Sequence, residues 1–137
     1  MSYISAFDPS ADKKRNLASK IYDISESVTK FFWDDAPRLG IQQREGQQDM
    51  AFDVLDAIKS GSHVVIEAGV GIGKSFAYLV PILLYNAKTF SPVVIATSTI
   101  ALQEQLLSDM ELLKKWLRLD PDLILAKGKN HIFVSKM

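Results

Sequence analysis

Cysteine is absent from the 137 residues of this chain. Disulfide bonds, cysteine-ligated zinc and cysteine-ligated iron–sulfur clusters are therefore excluded within it, and the composition is compatible with an intracellular protein. Net charge is absent as well, because 16 basic residues balance 16 acidic ones. Bulk charge therefore does not indicate a nucleic-acid partner, and any basic binding surface must be local.

Long hydrophobic runs are also missing. The longest, such as 76–85, falls far short of the roughly 18–20 residues of a membrane-spanning helix. The first residues lack the basic and apolar regions of a signal peptide. Because 47% of the residues are hydrophobic, a core can still form at this size. We therefore expect a single cytoplasmic domain without a membrane partner.

Hydrophobic periodicity predicts alternating helices and short strands. Helices are expected over residues 11–32, 45–59, 74–87 and 100 to 116 or 117. Strands that are buried on both faces are expected over residues 63–66, 93–96 and 123–126. Pro81 should kink the third helix or interrupt its regular hydrogen bonding. The alternation predicts an α/β fold with a parallel, doubly wound sheet flanked by helices, preceded by N-terminal helices.

The most informative segment runs from Val64 to Ser75, where an apolar strand enters a glycine-rich turn and then a helix. Glycines allow successive N–H groups to surround a phosphate, and the helix N-terminus adds partial positive charge. Lys74 is predicted to reach the β- and γ-phosphates and Ser75 to hold Mg²⁺, so these two are the candidate catalytic residues. The candidate nucleotide-binding residues of this segment are Ala68, Gly69, Val70, Gly71, Ile72, Gly73, Lys74, Ser75 and Phe76.

One observation and one alternative qualify this interpretation. The first position of the pattern G-x-x-x-x-G-K-[ST] falls on Ala68, whose methyl group is tolerated if its φ stays negative. The alternative is a glycine-rich turn that binds nothing.

Gln47 stands at the start of the helix that precedes this segment. A glutamine amide can form two parallel hydrogen bonds with adenine, so Gln47 is a candidate adenine reader. The alternative is a solvated polar helix start.

Hydroxyl groups follow the second strand, at Thr97, Ser98 and Thr99, with Gln103 one turn later. Hydroxyls and free N–H groups at a helix start suit a nucleic-acid backbone phosphate. Ordinary capping by Ser98 or Thr99, with glutamines on the surface, is compatible with the same pattern.

These motifs together resemble the first part of a DinG-type helicase, in the superfamily 2 branch that also holds XPD. The resemblance covers about residues 40–130 and rests on three stretches, which are Arg44-x-x-Gln47-x-x-Met50, Glu67 to Ser75 and Thr97 to Leu106. Alanine at position 68 belongs to that branch's pattern. The resemblance implies a RecA-like P-loop lobe that binds ATP and Mg²⁺, with Arg44 and Gln47 at the nucleotide. It also implies ATP-driven movement on single-stranded DNA, with the residues after Ala96 touching the DNA backbone.

Two departures from the family pattern shape the expectation. In cluster-bearing members, a segment resembling Lys127 to Phe133 leads to the first iron–sulfur cysteine, whereas about Val134 stands here, so we expect no cluster. No later strand ends in Asp-Glu, and no second lobe follows. We therefore expect an N-terminal helical segment over 1–40 and an incomplete helicase lobe over 41–137. Such a chain would bind DNA weakly and require missing C-terminal helicase segments as partners.

Other functions stay open at this point. A P-loop kinase of a small molecule would need basic residues on a lid, and no obvious lid is present between 100 and 137. A non-catalytic fragment that binds nucleotide or DNA is the third possibility.

Overall fold

A computed structural model describes residues 9–69, 73–126 and 131–136 of the chain. The helices are α1 (Pro9–Lys30), α2 (Ala36–Arg38), α3 (Gln47–Ser60), α4 (Lys74–Thr89) and α5 (Ile100–Leu117), with a π-helical turn at Phe31–Asp35 between α1 and α2. The strands are β1 (Val93–Thr97), β2 (Asp122–Ala126) and β3 (His131–Lys136). Within the described ranges, none of the helices is long and apolar enough to span a membrane.

The first helix buries one face against α4. Ile21, Ile24 and Val28 follow at helical spacing and are buried, which is the amphipathic pattern that predicted the helix. The predicted end at residue 32 is too early, because the π turn prolongs the helical path to Arg38. The extra residue in this turn lets Phe31 and Phe32 both point inward, with their ring centroids 5.2 Å apart at 85°.

A common core joins the helices α1, α3, α4 and α5. Leu55, Leu79, Leu83 and Leu113 lie in it with at most 2% exposure, and β1 and β2 pack Ile95 and Leu123 against it. The helices α3, α4 and α5 begin and end within two residues of their predicted bounds, because their apolar stripes repeat clearly. Pro81 is buried inside α4, and the helix continues past it to Thr89.

The sheet differs from the prediction of a parallel arrangement. The described strands form one sheet in the order β1-β3-β2, and both pairings are antiparallel. Ile95 lies opposite Phe133, which lies opposite Leu125. Only residues 127–130 separate β2 from β3, and so short a connection suits a hairpin, whereas parallel neighbours need a crossover of a dozen or more residues.

Burial of the strands also differs from the prediction. β1 and β2 lie where expected, but Val94 and Ile124 are 61% and 48% exposed, so these strands bury one face. The predicted strand at 63–66 is wrong for this structure, because residues 62–69 have no strand assignment and Val65 is 98% exposed. An extended apolar segment becomes a strand only when a neighbour satisfies its backbone, and no described strand pairs with this one.

Candidate nucleotide-binding site

The start of α4 presents free backbone donors. Gly73 is its N-cap in the left-handed region, with φ 72° and ψ 50°, and Ala77 donates its N–H to Gly73 O at 3.2 Å. The N–H groups of Lys74, Ser75 and Phe76 precede this first helical hydrogen bond, so they have no acceptor within the helix. Together with the helix dipole, they form a site suited to a phosphate.

Gln47 connects the upstream motif directly to this helix start. Its side chain is 4% exposed, and its Nε2 donates to Gly73 O at 3.2 Å. The contact is close, because a Cβ added at Gly73 would overlap Gln47 Nε2. Gln47 in the first turn of α3 is therefore hydrogen-bonded to Gly73, the N-cap of α4.

This contact leaves part of the Gln47 amide for a base. A glutamine amide has two N–H donors and one acceptor oxygen, and Gly73 uses one of the donors. Arg44 lines the neighbouring cavity of ≈ 360 Å³ with Glu45 and Gly46. The predicted role of Gln47 in reading adenine stays a prediction, and it requires a base to reach an amide that is 4% exposed.

Tyr78 lies one turn after Ser75 along α4. Burial raises the pKa of Tyr78, the nearby Ser75 hydroxyl lowers it, and the Asp109 carboxylate raises it further. Asp109 is 7% exposed and accepts a hydrogen bond from Gln105 Nε2 at 3.0 Å. The charge of a buried carboxylate on α5 thus acts on the phenol that follows Ser75.

The hydroxyl of Ser75 fits Mg²⁺ as one hard oxygen ligand, since this ion is commonly bound by few protein groups and by substrate phosphates. Lys74 is exposed beside it, free to turn towards a phosphate. Among the described residues, no group of three His, Asp or Glu side chains could hold a metal ion. An ion here would therefore depend on the nucleotide.

Ala68 and Gly69 lie on an acidic side of the site. They line a cavity of ≈ 550 Å³ together with exposed carboxylates, which are those of Glu45, Asp49, Asp53 and Glu67. Negative charge here disfavours phosphate on this side and favours it towards Lys74. The predicted residues Val70, Gly71 and Ile72 lie outside the described residues.

Phe76 has a different role from the predicted one. Its ring is half-buried and packs on Trp116 with the ring centroids 5.9 Å apart. The side chain therefore belongs to the core, and the N–H is the part of Phe76 that remains for a nucleotide.

The hydroxyl cluster after β1 begins α5. Thr99 is the N-cap and accepts the N–H of Leu102 at 3.1 Å, and Thr97 donates to Thr99 O at 3.4 Å. Ser98 is exposed, but Gln103 is only 4% exposed. The capping interpretation is confirmed for Thr99, whereas the structure turns Gln103 towards the core and does not offer it to a strand.

Sequence reasoning missed the neighbours of Ser75 and Phe76. Tyr78 follows Ser75 by three residues, which places both on one helix face. Asp109 stands among Leu106, Met110 and Leu113 on the buried face of α5. A carboxylate at such a position is a signal of a polar network.

Residues 46–132 match the family described as DEAD/DEAH box helicase. The chain belongs to this family. Membership implies a P-loop NTPase fold and an association with nucleotide, and it disfavours the small-molecule kinase. The matched residues include both the Gly73–Ser75 helix start and the Thr97–Thr99 turn.

Individual relatives confirm the DinG-type resemblance. The chain is 38% identical over 120 residues to "ATP-dependent helicase DinG" of Mycobacterium tuberculosis (strain ATCC 25177 / H37Ra), covering 83% of this chain and 18% of that protein. It is 41% identical over 93 residues to "ATP-dependent DNA helicase YoaA" of Escherichia coli (strain K12), covering 67% and 14%. The "3'-5' exonuclease DinG" of Bacillus subtilis (strain 168) is 36% identical over 93 residues, covering 67% and 10%.

The chain thus spans less than a fifth of the length of these curated relatives. No solved structure matches it.

Proposed function

We propose that the chain is the ATP-binding N-terminal part of a DinG-like, ATP-dependent DNA helicase. One observation carries the proposal: the buried amide of Gln47 donates to Gly73, the residue that begins the Lys74–Ser75 helix. This contact brings together two motifs separated in sequence, and it supports a site in which N–H donors would hold phosphate and an amide would read adenine. Two of the three relatives reported above are named ATP-dependent helicases, which agrees with that ligand.

Each residue of the site has a distinct chemical task. Lys74 would neutralise charge on the β- and γ-phosphates, and the N–H groups at the start of α4 would hold their oxygens. Ser75 Oγ would hold Mg²⁺, which supplies charge neutralisation on the phosphates when bound. Gln47 would select adenine while fixing Gly73. Arg44, Ala68 and Gly69 would border the nucleotide.

DNA contact is proposed at the turn that begins α5. The exposed Ser98 hydroxyl, the hydroxyl hydrogen that Thr99 keeps while its oxygen caps α5, and the N–H groups at this helix start suit a backbone phosphate, with Thr97 beside them. We propose single-stranded DNA as the ligand, bound weakly and in a salt-dependent manner by this chain alone. A division at residue 40 between an N-terminal helical segment and the helicase lobe is part of the proposal, as is a cytoplasmic location.

The isolated chain should bind ATP but hydrolyse it slowly. Phosphoryl transfer requires an oriented water and stabilisation of the charge that develops on the γ-phosphoryl oxygens. An arginine finger alone contributes roughly 10³–10⁵ in rate in related enzymes. We propose that such groups come from other segments of a longer protein, among them a strand ending in Asp-Glu.

A phosphate-release assay tests this proposal. Purified 1–137 is incubated with ATP, Mg²⁺ and excess single-stranded DNA, in parallel with the Lys74→Ala variant. We expect binding of ATP by calorimetry and no helicase-like turnover. Robust turnover that DNA stimulates and Lys74→Ala abolishes would show that this chain is a complete enzyme.

A further inference from the structure

A second cavity, of ≈ 550 Å³, lies between the π turn and the C-terminal end of α5. It shares no lining residue with the nucleotide site. The polar and aromatic residues that line it are Ser27, Lys30, Asp35, Arg38, Trp116 and Arg118. Leucine side chains from α4, α5 and the end of α2 complete its wall.

The cavity carries an excess of positive charge. Lys30 Nζ lies 2.7 and 2.9 Å from the two carboxylate oxygens of Asp35, so these two residues neutralise each other. Arg38 and Arg118 form no ion pair with any of the described residues. Two guanidinium groups therefore face the cavity without an internal anion, and their planar donor sets suit phosphate oxygens.

Two uncommon backbone conformations bring these groups together. The π turn, closed by the N–H of Ala36 on Phe31 O, is of a kind found frequently at functional sites. Arg118 ends α5 with φ 54°, a left-handed conformation that costs a residue with a Cβ roughly 1–2 kcal/mol. Both conformations occur among the residues that line this cavity or adjoin its lining.

The remaining wall is apolar. Trp116 is half-buried and its ring packs on Phe76 at a tilt of 45°, and Leu39, which also lines the cavity, is 45% exposed. We infer that this cavity binds a nucleotide unit, with its phosphate between Arg38 and Arg118 and its base against Trp116. A nucleic-acid strand and a free nucleotide share this chemistry. That the nucleotide unit belongs to a nucleic-acid strand rests on the proposed DNA contact. Binding of a nucleotide unit by the arginines and Trp116 does not rest on it.

The test uses Trp116 as the probe. In the full chain carrying Trp33→Phe, Trp116 is the remaining tryptophan of two, and Lys74→Ala prevents competition by the nucleotide loop. Fluorescence is titrated with a short oligothymidylate and, separately, with thymidine monophosphate. The variant pair is Arg38→Gln with Arg118→Gly, because glycine removes the side chain and suits the left-handed backbone. The control pair is Lys13→Gln with Lys88→Gln, two exposed cations outside the cavity.

If a strand is the ligand, the arginine pair should lower oligothymidylate affinity at least tenfold. The slope of log K against log salt should also become shallower by about 0.7, since the two arginines share one phosphate and each single-strand phosphate contact contributes about 0.7. If a free nucleotide is the ligand, the arginine pair should abolish the saturable effect of thymidine monophosphate. Either result, with the lysine pair unchanged, supports the site.

Equal binding of both probes by the parent and the arginine pair, or equal losses in the two pairs, overturns the inference. Calorimetry with ATP on the arginine pair with Lys74 intact separates this result from the proposed function. A parent chain that does not bind ATP would reject the nucleotide loop without affecting the cavity. If ATP binds but the affinity for oligothymidylate and thymidine monophosphate does not depend on the two arginines, the cavity alone is rejected.

Discussion

Replacing Gly73 by alanine tests the contact that unites the two motifs. The substitution places a Cβ against Gln47 Nε2 and imposes an L-residue on a backbone with φ 72°. Both effects act on the residue that precedes Lys74. We therefore expect lower stability and weaker ATP binding from one added methyl group.

The magnitude follows from two separable terms. A left-handed backbone costs alanine about 1–2 kcal/mol, and loss of the Gln47–Gly73 hydrogen bond costs about 0.5–1.5 kcal/mol. Together they predict a loss of about 2–3 kcal/mol in the free energy of unfolding, a large share of the roughly 5–15 kcal/mol typical of a domain. When Gln47 is already alanine, only the backbone term of Gly73→Ala should remain.

A double-mutant cycle separates these terms. Urea denaturation of Gly73→Ala, Gln47→Ala and the double variant should give a coupling of about 1 kcal/mol. The control is Gly69→Ala, because Gly69 has no atom within 4 Å of an added Cβ and no positive φ, and it should leave stability nearly unchanged. Additive losses at positions 47 and 73 would refute the contact, and an equal loss from Gly69→Ala would refute the account of the backbone.

Further substitutions test how the nucleotide is bound and whether the backbone is strained at Phe90. Lys74→Ala should weaken binding of ATP with Mg²⁺ at least tenfold, or about 1.4 kcal/mol, by calorimetry, whereas Lys88→Ala should not; equal affinities would reject Lys74 as a phosphate ligand. Gln47→Ala should reduce the preference for ATP over GTP, and an unchanged preference would show that adenine is read elsewhere. Phe90 is 69% exposed with φ 57°, so Phe90→Gly should raise the free energy of unfolding by about 0.5–1 kcal/mol. A fall, as expected for Lys88→Gly within the helix, would contradict the strain at Phe90.

The helices could be predicted because their signals are local. The apolar stripe of α5 and the Gly61 that ends α3 act within a few residues, so the sequence alone indicates both. Strand pairing depends on which neighbour is present. The apolar run around Val65 predicts a buried strand, yet Val65 is exposed and no described strand pairs with the run.

In the candidate site, too, some features follow from local sequence and others depend on packing. The free donors at Lys74 and Ser75 follow from local sequence, because a glycine before a helix start predicts them. The burial of Gln103 and Asp109 depends on how α5 rotates against α4. Residue type alone indicates an exposed position for such side chains, so their contacts could not be predicted without the packing.

Alkaline pH provides a test of the environment of Ser75, through its neighbour Tyr78. Burial and the Asp109 carboxylate raise the pKa of Tyr78 above the ordinary value of 10.0, against the effect of the nearby Ser75 hydroxyl. A group whose pKa is raised by folding adds stability below its unfolded pKa, and this stability is lost as the pH rises through the folded pKa. The free energy of unfolding should therefore decline above pH 10.0.

Tyr78→Phe should remove this part of the decline, since phenylalanine keeps the ring and has no proton to lose. Tyr22→Phe is a second, independent test, because the side chain of Glu26 also raises the pKa of that exposed phenol. Urea denaturation across the alkaline range gives the difference between each variant and the parent. A difference that grows with pH for Tyr78→Phe places a neutral phenol in the folded site. Parallel curves for the parent and Tyr78→Phe would show that folding does not shift this phenol.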